Sequence, residues 1–240
     1  YIRSIHWAAG VEFLPDLFTR ITLEGFYKRY LNYPVSVTDG ISLANKGTDF
    51  GAVGNEPVLA TGAGRAYGVE LFVQQKLTKR LFGVFSGTFY RSEFTGVNGT
   101  FEPASWDNKV LLSVTAGYKL KKNWEIGAKF RYQGAAPYTP YDPVASQYSY
   151  QLLGVGVFDY TKLNSLRLPA FHAADLRVDK KWNYRRVTLD LFLDITNLYG
   201  AKSAGIPQYT FQRTADNSAF FTNDGLPLKA DGSNAVPVLL

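Results

Sequence analysis

Four carboxylates, Asp175, Asp179, Asp190 and Asp194, lie close together along the chain. Brought to one place, such groups could act as paired acids in hydrolysis or hold a cation. The same stretch carries Arg177, Lys181 and Arg186, which would neutralise them, so a charged wall explains the acids with fewer assumptions. His6 and His172 are far apart and have no serine motif beside them, which leaves nucleophilic catalysis and a metal cluster without support. Cysteine is absent, removing disulfides, thiol nucleophiles and thiolate metal sites. No catalytic residue, metal or cofactor is therefore expected, and the chain does not read as an enzyme.

The formal charge of +6 does not point to nucleic acid, because the basic residues are scattered over alternate positions and form no stripe. The glycine-rich stretch from Thr61 to Gly68 lacks the G-x-G-x-x-G spacing and precedes a strand, so no phosphate cradle is expected. The sequon at Asn98 marks an exposed loop.

What positions these charges is an alternation. In "VTLDLFLDITNLYG", Val187, Leu189, Leu191, Leu193 and Ile195 share one parity, and Thr188, Asp190, Asp194 and Thr196 the other, with Phe192 as the exception. A period of two places successive side chains on opposite faces of a strand. The pattern returns through Ile5–Phe13, Thr19–Lys28, Tyr67–Leu77, Leu81–Ser92, Val110–Leu120, Trp124–Gln133 and Ala174–Lys181. Each run is roughly ten residues, about what a tilted strand needs to cross a bilayer. About eight strands in four hairpins are predicted, an all-β antiparallel segment of a transmembrane β-barrel.

The connections sharpen this. Short turns follow Phe13, Leu77, Leu120 and Trp182, while long polar segments fill about residues 31–64, 96–108, 136–169 and 201–240. Several unstructured loops longer than about fifteen residues are foreign to a compact sandwich. Short turns at one rim and long loops at the other mark an outer-membrane barrel, with the turns periplasmic and the loops extracellular. Trp7, Tyr27, Trp106, Trp124, Tyr132, Trp182 and Tyr199 are expected near strand ends, at the bilayer interfaces.

On this reading Glu70, Lys129, Arg131, Asp175, Arg177, Asp190 and Asp194 face a watery lumen and the leucines face lipid. A two-residue turn at Asn183–Tyr184 would set Arg177 opposite Asp190. Ligand recognition, if it occurs in this chain, is expected from the loop tyrosines Tyr138, Tyr141, Tyr148, Tyr150 and Tyr160, whose rings suit sugars or a hydrophobic chelate. The alternative for "PYTPYD" is a stiffener of a long loop. The chain begins with Tyr1 rather than Met and has no apolar run of about eighteen residues; it reads as a piece of a longer protein without a transmembrane helix.

Taken in order, "SIHWAAGVEFL", "TLEGFYKRY", "GAGRAYGVELFVQQKL", "WDNKVLLSVTAGYKL", "NWEIGAKFRYQGAAPYTPYD", "AADLRVDKKW" and "LDLFLDITNLYG" resemble the C-terminal barrel region of TonB-dependent outer-membrane receptors, especially those of Bacteroidetes-like bacteria. The resemblance implies a barrel of about 22 strands with an N-terminal plug domain in its lumen. It also implies uptake of a scarce nutrient, such as an iron chelate, cobalamin, glycan or peptide. Energy would come through the TonB complex acting on the plug, and a surface lipoprotein is a further partner the resemblance allows. Residues 1–240 would be the last third of that barrel, without the plug and without the closing strand, since "AVPVLL" does not end on the expected aromatic residue. The competing reading is a small passive or structural barrel of eight strands, which requires the first and last strands to pair.

Overall fold

The alternating runs all become strands. In the computed structural model, which describes residues 1–47 and 54–240, the chain runs through β1 (Arg3–Phe13), β2 (Thr19–Ser36), β3 (Val58–Thr78), β4 (Leu81–Thr95), β5 (Phe101–Pro103), β6 (Val110–Lys119) and β7 (Trp124–Gln133). It continues through β8 (Pro137–Tyr138), α1 (Pro143–Leu153), β9 (Leu166–Arg167), β10 (Phe171–Asn183), β11 (Thr188–Ile195), β12 (Tyr209–Phe211) and β13 (Pro237–Leu239). Strands β1, β2, β3, β4, β6, β7, β10 and β11 pair in that order, and β5 adds to β4. Every pairing is antiparallel. The sheet is a partial barrel: β1 and β11 form its edges and do not pair with each other among the described residues.

Register keeps the two faces apart. Val73, Phe85, Val114, Phe130 and Ala174 form one row across β3, β4, β6, β7 and β10. One residue away on the other face, Thr115, Lys129 and Asp175 form the next row. The aliphatic face stays open, with Val11 68%, Leu191 64% and Leu193 62% exposed. An uncovered apolar face that extends over so many strands is not sustainable in water and calls for another solvent. The buried clusters are correspondingly small. In the sheet unit, Ala44, Phe94 and Ala104 pack with Tyr30 and Tyr33.

The strands depart from the expected bounds at the long-loop end. Residues 31–36 and 58–64, expected as loop, belong to β2 and β3, and the glycine-rich stretch lies inside β3. Periodicity hid them because the ladder is irregular there. Register shifts fall between Leu31 and Tyr33 and between Tyr33 and Val35, where Asn32 takes a φ of 59° and Pro34 offers no amide. Each shift moves the following side chains out of phase. The centre of that expected loop, residues 48–53, lies outside the described residues. Tyr27 therefore stands within β2 rather than at its end, and Trp7, which pairs with it, stands within β1.

Contacts divide the chain into two compact units, Tyr1–Pro137 with Pro169–Ala204, and Tyr138–Leu168 with Gly205–Leu240. The second unit is built from the long connections and contains α1, which the hydrophobic pattern did not announce. Its signals are local: Asp142 caps the amides of Val144 and Ala145, proline occupies the first turn, and Gly154 closes the helix at a φ of 68°. Around it Tyr209, Phe211 and Ala235 form a core with Tyr141, Tyr150, Phe220 and Leu228.

Candidate functional site

The polar face of β7, β10 and β11 gathers the charges singled out in the sequence. A shallow recess of about 530 Å³ is lined by Lys129, Asp175, Arg177, Asp190 and Asp194 among others. Pairing follows from register. Arg177 stands opposite Asp194, and Lys181 opposite Asp190, with ion-pair distances of 3.8 Å and 3.4 Å. The guanidinium of Arg177 also donates to the Asp179 carboxylate at 2.8 Å, and Arg131 reaches Asp175 at 3.2 Å.

The expected Arg177–Asp190 pair is thus replaced. Tyr184 N–H donates to the Val187 carbonyl at 2.8 Å, so Arg185 and Arg186, rather than Asn183 and Tyr184, occupy the tip of the turn. Parity demanded only an even-length turn, and sliding the tip by two residues preserves both faces while changing every partner. Phe192, the exception to the alternation, is accounted for by the same register: Arg177 lies over its ring, 4.0 Å from the centroid.

Glu70 lies elsewhere, on β3 directly opposite Glu24 and Thr88. It borders a second recess of about 360 Å³ with Phe26, Lys28, Tyr30, Phe94 and Trp106. Trp106, expected at a bilayer interface, instead sits on this polar face. Its Nε1–H donates to Ser92 Oγ at 3.1 Å, and its ring meets Phe94 edge-on at 6.0 Å.

The five candidate tyrosines divide by role in the second unit. Tyr141 stacks on Phe158 at 4.7 Å and Tyr150 packs on Phe211 at 4.7 Å, with the Tyr150 hydroxyl 2.7 Å from Thr210 Oγ1. Those two rings hold the unit together. Tyr148 and Tyr160 remain exposed, and Tyr138 lines a mostly apolar recess of about 270 Å³ with Tyr141, Pro140, Pro207 and Leu239.

The opposite face of the sheet carries aromatic rows. Trp7, Tyr27 and Tyr67 face one another across β1, β2 and β3, with centroids 5.8 Å and 6.3 Å apart. Towards the short turns, Lys180 Nζ lies between Trp124 and Trp182, 5.4 Å and 5.3 Å from their centroids. Beyond the other end of β11, Tyr199 O–H sits 2.7 Å from His172 Nδ1. This mixture of amphipathic rings, a lysine and a histidine around an aliphatic band suits an apolar-to-polar boundary.

Among the described residues no group of three or more His, Asp or Glu side chains could hold a metal ion, and no helix is long and apolar enough to cross a membrane.

Comparison with known proteins bears on the sheet above all. The family profile "TonB dependent receptor-like, beta-barrel" matches residues 2–198. No curated protein sequence matches the chain. Among solved structures, the ferric-catecholate import receptor Fiu of Escherichia coli K12 in its closed form aligns with 99% of this chain and 26% of its own length, at 13% identity and a TM-score of 0.56. The ferripyoverdine receptor of the Pseudomonas aeruginosa outer membrane, bound to ferripyoverdine, aligns with 99% of this chain and 26% of its own, at 12% identity and a TM-score of 0.55. The siderophore receptor PiuA of Acinetobacter baumannii aligns with 82% and 24%, at 16% identity and a TM-score of 0.51. The chain spans about a quarter of the length of these structures, and at such identities the likeness is one of fold.

Proposed function

The chain belongs to the TonB dependent receptor-like β-barrel family, and on that premise we propose that it forms part of the wall of a bacterial outer-membrane receptor that imports a scarce nutrient. The observation that carries this reading is the two-faced sheet, aliphatic on one side and ion-paired on the other, with unpaired edges at β1 and β11. In lipid an open edge leaves backbone groups unsatisfied at several kcal/mol each. Further strands of the same barrel would satisfy both edges. The aliphatic face then meets lipid, the charged face meets a lumen filled by a plug domain, the short turns point to the periplasm and the long connections to the outside. Lumen charges paired as Arg131–Asp175 and Lys181–Asp190 are suited to a wet interior, where each pair contributes modestly.

Transport, not catalysis, is the proposed activity, energised by the TonB complex acting through the plug. In the outward-facing unit, Tyr138, Tyr148 and Tyr160 are the proposed contacts for the nutrient, because Tyr141 and Tyr150 are engaged in packing. An iron chelate is the first nutrient to test, since the three structures above are named for ferric chelates or siderophores; cobalamin, a glycan or a peptide are the alternatives.

The test uses the full-length protein in cells deleted for it. Labelled ferric chelate should bind at the surface and accumulate, and an uncoupler should abolish accumulation while leaving surface binding intact. Accumulation indifferent to the uncoupler would overturn energised import, and recovery of the protein outside the outer membrane would overturn the whole reading.

A further inference from the structure

Three consecutive hairpins of the sheet end in the same way. The turn from β3 to β4 carries Lys79–Arg80, that from β6 to β7 carries Lys121–Lys122, and that from β10 to β11 carries Arg185–Arg186. Strand order places these tips side by side along one rim, separated by two strands each. At about 4.8 Å per strand they recur roughly every 10 Å. All six side chains belong to exposed residues, and among the described residues none forms an ion pair. Lys76, Lys119 and Lys180 lie within a few residues of the tips. The remaining turn on this rim, Leu14–Phe18, has no such pair; its Asp16 accepts from the amides of Phe18 and Thr19 and from the Thr19 hydroxyl.

Backbone geometry adds an independent observation. Lys79 and Lys122 hold φ angles of 53° and 58°, the left-handed region where glycine or asparagine is the natural occupant. Lysine stands there against that preference, as Lys109 does before β6 at a φ of 67°. On the aliphatic side of the same rim, Lys180 extends between Trp124 and Trp182 and its Nζ donates to the Lys122 carbonyl. An aromatic–lysine boundary of that kind marks the level of lipid headgroups, and the basic tips continue directly from it.

We infer that the short-turn rim is a docking surface for the phosphates of anionic phospholipid headgroups, with the Lys79–Arg80, Lys121–Lys122 and Arg185–Arg186 pairs as its contact points. The inference rests on the reading of the aliphatic face as lipid-facing. Clusters of four to eight basic residues beside a membrane span attract anionic lipid through each charge. A row of three pairs spreads that attraction over several lipids instead of building one pocket. An acidic protein segment is the competing partner, and the Trp124–Lys180–Trp182 boundary favours lipid over it.

The test takes the full-length receptor in vesicles of phosphatidylcholine mixed with phosphatidylglycerol and measures, with spin-labelled lipids of each kind, which one the protein immobilises. The wild type should prefer phosphatidylglycerol, and the preference should shrink with added salt. Each charge neutralised by Lys→Gln or Arg→Gln at the six positions should lower the relative association constant by up to about fivefold. The single-turn variant R185Q/R186Q serves as a check should the sixfold variant fold poorly. A protein that embeds but shows equal association with both lipids overturns the inference, as does a preference unchanged in both variants. So does immobilisation unaffected by the substitutions together with binding of polyglutamate that they abolish, which would assign the rim to an acidic macromolecule. Failure of the protein to embed at all would instead overturn the lipid-facing reading itself.

Discussion

Gly64 lies directly beneath the ring of Phe94: a Cβ on Gly64 would come within 2.2 Å of the Phe94 Cε1 atom. The two face each other in the β3–β4 register, and Phe94 is 2% exposed in the cluster with Ala44 and Ala104. The glycine therefore makes room for the ring on which Tyr30, Tyr33 and Trp106 pack. Gly64→Ala is expected to destabilise by about 1–3 kcal/mol through overpacking. The double variant Gly64→Ala/Phe94→Leu should lose less than the sum of its parts. Urea unfolding in lipid vesicles measures both, and strict additivity would argue that the ring relaxes elsewhere.

Leu191, 64% exposed on the aliphatic face of β11, tests which solvent that face meets. Leu191→Arg should cost about 2–4 kcal/mol if the position lies near the bilayer centre. Thr188→Arg, on the other face of the same strand, should cost much less. Refolding titrations in vesicles compare the two, and equal costs would count against the assignment of faces.

Asp142 caps α1 by accepting from the Val144 and Ala145 amides, each at 2.9 Å. Asp142→Ala should weaken the helix by about 0.5–2 kcal/mol, and Asp142→Asn by less. Amide hydrogen exchange across Val144–Leu153 reads this directly. Unchanged protection would mean that tertiary contacts alone hold the helix.

Asp216 is held at a pKa of about 2 by the hydroxyls of Thr214 and Ser218 and the Ser218 amide. The folded value lies below the ordinary 3.8, so the stabilisation is complete above the unfolded pKa and is lost as pH falls through about 2. Carboxyl chemical shifts followed by NMR should show Asp216 still ionised at pH 3, whereas the Thr214→Ala variant should titrate nearer the ordinary value. A wild-type midpoint near 3.8 would contradict the hydrogen-bonded geometry.

Much of the sheet was legible because its information is binary. Whether Leu189 or Asp190 lies on the aliphatic face depends only on parity, and parity survives an error in the turn. The Arg177 partner was not legible for the same reason: tips at Asn183–Tyr184 and at Arg185–Arg186 are equivalent in parity, and only the Tyr184–Val187 hydrogen bond distinguishes them. The upper parts of β2 and β3 were missed because the bulge near Asn32 breaks the phase. Helix α1 was missed although Asp142, Pro143 and Gly154 flagged both of its ends, because a chain read for period two does not look for caps. Of the five loop tyrosines, nothing in the sequence separated Tyr141 and Tyr150, which are engaged in packing, from Tyr148 and Tyr160, which are exposed.

The two-residue period of β10 and β11 also says what kind of change such a wall can absorb over evolutionary time. One residue gained or lost within β11 would move Leu191 and Leu193 to the charged face and Asp190 and Asp194 to the aliphatic one, an inversion that no local repair can undo. Two residues gained or lost leave both faces as they were and merely change cross-strand partners, as from Asp194 to Phe192 or Thr196 opposite Arg177. Insertions and deletions in a wall of this kind should therefore come in even steps, and homologous barrels can drift far in spelling while each letter keeps its side.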